Sequence, residues 1–201
     1  MKTIQEIHEM TETPKVQYLP NMLSLEDNID GIIMEFGVFK GDSINQIATH
    51  FSSKEIHGFD SFHGLPEPWI KQKTGAIQNK SFSLNGILPN VKDNVILYPG
   101  WFEDTIPLWK DNHTGPISIL HVDCDIYSST KTILTMLNDQ IVENTLILFD
   151  DMYHWIASEK YSNWDEHEWK ALHEWCDEFD RDYNAIARAR QKQKCILLTV
   201  W

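Results

Sequence analysis

The sequence predicts an α/β protein with a doubly wound, seven-stranded sheet whose last two strands form an antiparallel hairpin. Three observations lead there. Short apolar runs alternate with longer amphipathic stretches, the pattern of strands and helices interleaved around a mostly parallel sheet. The final two apolar runs are joined only by the short RQKQ connection, which suits a hairpin rather than a crossover. No internal repeat, low-complexity tract or Pro/Gly/Ser-rich linker divides the chain.

The elements follow in order. GIIMEFGV from Gly31 is the first strand, and Asp42-Ser43, two residue types that cap helices, precede Ile44, Ile47, Ala48 and Phe51 on one helical face. EIHGF from Glu55, NVILYPG from Asn94 and PISILHV from Pro116 are the next three strands. Ser128-Ser129-Thr130 opens a second helix with Ile133, Leu134, Leu137 and Ile141 on one side, and TLILF from Thr145 is the fifth strand. Trp169, Leu172, Cys176 and Phe179 mark a third helix, and YNAIARA from Tyr183 and KCILLTV from Lys194 form the hairpin. The segment from Gly64 to Asn94 holds three of the eight prolines and breaks the alternation. Ligand recognition is expected there and in residues 1–30, an N-terminal segment that also offers oligomer contacts, with residues 31–201 as the single domain.

Composition narrows the function by exclusion. At 201 residues one domain with a sizeable core is expected, and 17 Lys+Arg against 30 Asp+Glu give a formal charge of −13. A phosphate-tracking nucleic-acid binder would carry a basic stripe, so no nucleic-acid partner is expected. No apolar run approaches the ~18 residues of a membrane span, and MKTIQEIHEMTETPK is too charged for a secretory signal, so the expected setting is cytoplasmic with no membrane partner. Cys124, Cys176 and Cys195 are odd in number and far apart, which fits buried thiols in a reducing compartment rather than disulfides or a paired zinc pattern.

In doubly wound sheets ligands bind beyond the carboxyl ends of the strands. After the first strand comes EFGVFKGDS, with Gly37 and Gly41 before a helix start, where backbone can approach a ligand and free N–H groups can face an anion; a simple tight turn explains it equally well. After the second strand Asp60 stands about twenty residues on, where an acid accepts hydrogen bonds from ribose hydroxyls, or merely organises a turn. The fourth strand delivers Asp123-Cys124-Asp125 and the fifth Asp150-Asp151. Four carboxylates at one edge repel unless a cation or protons compensate, and oxygen-only ligands suit Mg2+ or a similar hard ion.

The strings MEFGVFKGDS, GFDSFHGLPE, GWFEDTIP, HVDCDIYSST and LFDDMY, in that order, resemble the class I S-adenosylmethionine-dependent O-methyltransferases of the macrocin/mycinamicin (TylF/MycF) type from about Gly31 to Val200, with a more distant similarity to catechol O-methyltransferases. The resemblance implies a Rossmann-like fold and an enzyme moving a methyl group to a hydroxyl of a small molecule. It implies that Glu35, Gly37, Phe39, Gly41 and Ser43 line the methionine part of S-adenosyl-L-methionine. Asp60 and Ser61 would hold the ribose, Gly100, Trp101 and Phe102 in the turn after the third strand would lie by the adenine, and Asp123 would also border the cofactor. Asp123, Asp150 and Asp151 would be the metal ligands, with Asp125 an extra acid of the D-x-D-x-Y string.

The sulfonium methyl is already activated, so the protein's tasks are alignment and proton removal. Two adjacent hydroxyls of a sugar or other vicinal diol could fill two of the positions that three carboxylates leave open on an octahedral ion. Asp123 leads as proton acceptor, with Asp125 and His154 as alternatives. The catechol enzymes place a lysine where this chain has Ile126, so a lysine base has no support. Asp123-Cys124-Asp125 also suits a metal-dependent glycosyltransferase, and a non-catalytic cofactor-binding protein is the third reading. His167-Glu168 and His173-Glu174 lack the second histidine of a zinc-protease motif and read as solvated helix residues. Trp169 reads as core, whereas Trp155, Trp164, Phe62, His63 and Trp69 are candidate walls of an acceptor pocket. A homo-oligomer is compatible with the short chain.

Overall fold

The computed structural model describes residues 4–10, 12–13, 30–69, 82–153, 163–189 and 194–200. The strands are β1 (Glu12–Thr13), β2 (Ile32–Phe36), β3 (Ile56–Asp60), β4 (Val95–Pro99), β5 (Ile117–Val122), β6 (Ile141–Tyr153), β7 (Tyr183–Ala189) and β8 (Lys194–Val200). The helices are α1 (Ile4–Glu9), α2 (Asp42–His50), α3 (Phe102–Lys110), α4 (Tyr127–Met136) and α5 (Glu168–Phe179), with a 3-10 turn at Trp164–Glu166. The sheet order is β1-β7-β8-β6-β5-β2-β3-β4. All seven expected strands form, and β1 adds an eighth, parallel to β7 at the edge. Strands β2 to β6 run parallel, and β8 lies antiparallel to both β6 and β7, as a hairpin inserted beside β6.

Alternating strand residues separate two cores, because successive side chains leave opposite faces of a sheet. Met34, Phe36, Leu120, Val122, Ile147 and Phe149 pack with Trp109 of α3, Ile133 and Leu134 of α4, and Leu172 and Trp175 of α5. Ile33, Ile119 and Leu148 face the other way, onto Ile44, Ile47 and Ala48 of α2. Helices on both faces make the sheet doubly wound. Strand order reverses between β2 and β5, which places the switch-point crevice above Phe36 and Val122.

Several local expectations change. The stretch after β4 is not a turn alone: Trp101 caps α3, which continues to Lys110 despite Pro107 inside it. Asp42 and Ser43 do not cap α2; Gly41, at φ 85°, is the capping residue, and its left-handed backbone supplies the entry angle. Ser128, Ser129 and Thr130 lie inside the first turn of α4 rather than before it. Ile141 starts β6 instead of completing a helical face, since α4 stops at Met136. β6 continues through Asp150 and Asp151, so these acids sit within the strand's last residues rather than beyond it.

Candidate active site

The crevice at the switch point opens into a cavity of about 260 Å³. Its floor and walls include Gly37, Phe39, Asp60, Ser61, Trp101 and Phe102 among the residues the sequence singled out. Asp123, Asp125, Asp150 and Asp151 line it as well. Glu35, Gly41, Ser43 and Gly100 are not on its surface. His154 lies outside the described residues, as do Trp155 and the side chain of Cys195, whereas Cys124 and Cys176 are buried free thiols as expected.

Glu35 lies beneath the cavity, fully buried on β2. Its Oε1 accepts the Ser43 hydroxyl at 2.8 Å, and its Oε2 lies 3.1 Å from Nδ1 of the equally buried His121 on β5. Burial acts to lower the His121 pKa, but the hydrogen bond and charge of Glu35, with Asp150 behind, override it and leave it raised. Ser43 thus points at Glu35, and any reach toward a cofactor carboxylate would compete with that bond.

Gly37 has a structural reason beyond ligand approach. Its φ is 95°, and a Cβ there would collide with the backbone of Asp123, so the ends of β2 and β5 close on each other only because the side chain is missing. Asp60 organises the loops around the crevice: its Oδ2 accepts the Phe39 N–H at 2.7 Å and its Oδ1 the Phe62 N–H at 2.6 Å. Burial raises its pKa, against four surrounding backbone N–H groups. Phe39, Phe62 and Asp125 all hold positive φ around this crevice, a conformation that costs non-glycine residues about 1–3 kcal/mol each.

Asp123, Asp125 and Asp151 bring carboxylate oxygens within 4.8 Å of one another. The resemblance implied Asp123, Asp150 and Asp151; Asp150 lines the same cavity but stands outside this tight group, and Asp125 takes its place in it. Burial pushes Asp123 and Asp151 well up, and the neighbouring acids push in the same direction. Asp125 is pushed up to about 8, again chiefly by burial, and its carboxyl shares a hydrogen bond with that of Asp151. Two carboxyls can share such a bond only if one carries a proton. No lysine or arginine lines the cavity among the described residues, so protons or a cation must offset this charge. The set is all hard oxygen, buried and mutually repelling, and it fits a divalent cation such as Mg2+.

Two sequence expectations are corrected here. His167 and Glu168 are buried rather than solvated, and Glu168 is fully so. Its Oε2 accepts the Asp151 N–H at 3.1 Å, while burial and the charges of Asp151 and Asp150 push its pKa well up. Phe62 packs in the core beneath the loop and His63 is exposed against Gly86, so neither walls the cavity, whereas Trp69 does. Trp164 packs edge-on to Trp169. The sequence missed Phe82, which stands edge-on to Phe39 with ring centres 5.6 Å apart and 6.2 Å from Trp69. Its signal was weak, an aromatic in an unreadable segment. Glu168 had a clearer one: it lies four residues before Leu172 on the stripe that buries Trp175 and Cys176.

A second cluster, Glu55, His57 and His113, lies at the opposite end of β3. The Trp109 indole N–H donates to His57 Nδ1 at 3.2 Å, which leaves the proton on Nε2, directed at Glu55 3.5 Å away. Burial holds His57 down at about 4. His57 is held among the rings of Tyr98, Trp109 and His113, while Glu55 is exposed at its edge.

Residues 7–180 match the family described as Macrocin-O-methyltransferase (TylF). The 8-demethyl-8-(2,3-dimethoxy-alpha-L-rhamnosyl)-tetracenomycin-C 4'-O-methyltransferase of Streptomyces olivaceus is 26% identical over 146 residues, 63% of this chain and 55% of that protein. The mycinamicin III 3''-O-methyltransferase of Micromonospora griseorubida is 26% identical over 155 residues, 64% of this chain and 58% of that protein. The chain therefore spans little more than half the length of these relatives. Among solved structures, the calicheamicin methyltransferase CalS11 matches with a TM-score of 0.66 at 19% identity, over 92% of this chain and 79% of that one. An O-methyltransferase from Bacillus cereus, solved in complex with SAH, matches with a TM-score of 0.59 at 13% identity, over 98% and 86%. These structures share the fold.

Proposed function

Because the chain belongs to the macrocin O-methyltransferase (TylF) family, we propose that it transfers the methyl group of S-adenosylmethionine to a hydroxyl of a small molecule, a sugar or other vicinal diol, with the help of a divalent cation. The observation that carries the reading is the single cavity edge on which Asp60 and the Gly37 turn meet the carboxylates of Asp123, Asp125 and Asp151.

Asp60, whose carboxylate lines the cavity, would receive the ribose hydroxyls, and Ser61 stands beside it. Trp101 and Phe102, at the start of α3, offer aromatic faces to the adenine. Glu35, Gly41 and Ser43 shape the turn from below, while Gly100 lets β4 turn into α3. Asp123 and Asp151, joined by Asp150, would hold the cation, which when bound makes a coordinated hydroxyl more acidic. Asp125 would then accept the hydroxyl proton: it lines the cavity, with its carboxylate within 4.8 Å of those of Asp123 and Asp151. Trp69 and Phe82 would wall the acceptor and keep water from the transfer.

The relatives named above act on sugar-bearing natural products by their names, which supports an acceptor of that class. Among the described residues no helix is long and apolar enough to cross a membrane. Residues 1–30 would contribute acceptor or subunit contacts to a homo-oligomer. The test incubates the protein with labelled S-adenosylmethionine and a panel of deoxysugar and catechol diols, with Mg2+ or with chelator. Mg2+-dependent labelling of a diol is expected. Binding of nucleotide sugars but not of S-adenosylhomocysteine in calorimetry would overturn the reading, and labelling undiminished by chelator would remove the cation from it.

A further inference from the structure

Glu168 is the first residue of α5 and is fully buried, yet it pairs with no lysine or arginine among the described residues. One oxygen, Oε2, accepts the backbone N–H of Asp151 at 3.1 Å. The other, Oε1, makes no close hydrogen bond, and the same carboxyl also faces the backbone N–H of Asp125. The charges that act on this carboxyl are those of Asp151 and Asp150, and it acts in turn on Asp123 and Asp125. A fourth acid thus closes the carboxylate group from the helix side, without reaching the cavity surface.

A buried acid at a helix start has a structural account: it ties the helix to the sheet through the Asp151 peptide and faces the helix dipole favourably. That account covers the backbone contacts to Asp151 and Asp125 but not the crowding of acids. Burying a carboxyl beside three other acids is costly. That cost falls when a positive ion occupies the group, because its field reaches the outer carboxylate as well as its ligands.

We infer that Glu168 is a positioning residue for the cation proposed above, fixing the Asp151 peptide through Oε2 and adding buried negative charge behind the ligands through Oε1, so that it tightens cation binding without being a ligand. The inference rests on that cation and deepens it: the site's affinity is set from α5 as well as from the strand ends.

The experiment measures Mn2+ binding by calorimetry in the full chain and in Glu168→Gln, with S-adenosylhomocysteine affinity and melting temperature, with and without Mn2+, read on both. Glutamine keeps an oxygen for the Asp151 N–H and removes the charge. The variant is expected to bind Mn2+ about 10-fold more weakly or worse, to bind S-adenosylhomocysteine within about twofold of wild type, and to lose part of the Mn2+-induced rise in melting temperature. Equal Mn2+ affinity in wild type and variant would overturn the inference and leave the proposed function standing; no Mn2+ binding by wild type would remove the cation and the inference together. Should Glu168→Gln fail to fold, Glu168→Asp decides: retained charge predicts Mn2+ affinity within about threefold of wild type even if melting falls, and a loss of tenfold or more would overturn the role of charge.

Discussion

A side chain on Gly37 would collide with the backbone carbonyl of Asp123, so the first glycine of the turn and the first acid of the carboxylate group are packed directly against each other. The turn and the acidic edge are therefore one construction. Gly37→Ala adds both this clash and a strained φ of 95°. A loss of about 3 kcal/mol or more is expected, read as a drop in the denaturation midpoint. A variant as stable as wild type would contradict the packing described.

The acidic group makes stability depend on pH in a stated direction. Asp125 titrates at about 8 in the folded chain against 3.8 as the reference, so the folded state holds its proton more tightly. Its stabilising contribution is complete below the lower value and is lost as pH rises toward the upper one. Asp123, Asp151 and Glu168 are shifted in the same sense. Above pH 6.5 the lowered His57, at about 4, no longer opposes the trend, being neutral in both states. Metal-free protein is expected to lose stability between about pH 6.5 and 8.5, and Asp125→Asn to flatten that slope. Urea unfolding in chelator across the range checks this, and stability that climbs with pH would contradict it.

Asp150→Ala separates cofactor from cation. Asp150 lines the cavity and acts electrostatically on its neighbours without contributing to the turn that meets Asp60. Metal-dependent turnover is expected to fall by about 10- to 100-fold or more, with S-adenosylhomocysteine affinity nearly unchanged. Undiminished turnover would take Asp150 out of the ligand set.

Phe82→Ala tests the acceptor wall. The ring is half-buried at the cavity and edge-on to Phe39. Losing its contact area is expected to raise the acceptor KM about 10-fold, with little change in cofactor affinity. A change confined to cofactor affinity would place Phe82 on the other side of the cavity.

Much of this arrangement is legible in the chain itself. Short continuous apolar runs marked all seven main strands, because a strand buried on both faces sends neighbours such as Ile33 and Met34 into two separate cores. The clustering of acids at the ends of β5 and β6 was equally legible, since a doubly wound topology brings strand ends together wherever order reverses. Helix α3 was hidden by Pro107, a residue that argues against a helix interior yet is accommodated in the second turn of a short one. The capping of α2 by Gly41 rather than Asp42 or Ser43 was hidden because Ser43 spends its hydroxyl on Glu35, eight residues away.

By itself, then, the sequence determined the order of elements, the two-sided sheet and the gathering of Asp123, Asp125, Asp150 and Asp151 at one edge. Those follow from local periodicity and chain order. Only the tertiary structure decided that Asp125 packs with Asp123 and Asp151 while Asp150 adjoins them from the same cavity wall, that Gly37 is needed by Asp123 itself, and that Glu168 is buried behind the acids. Each of these is a distance between residues far apart in the chain, set by how β2, β5, β6 and α5 close on one another. Periodicity tells which face a side chain takes but not how near its neighbours come, and electrostatic repulsion and steric clash depend on that nearness.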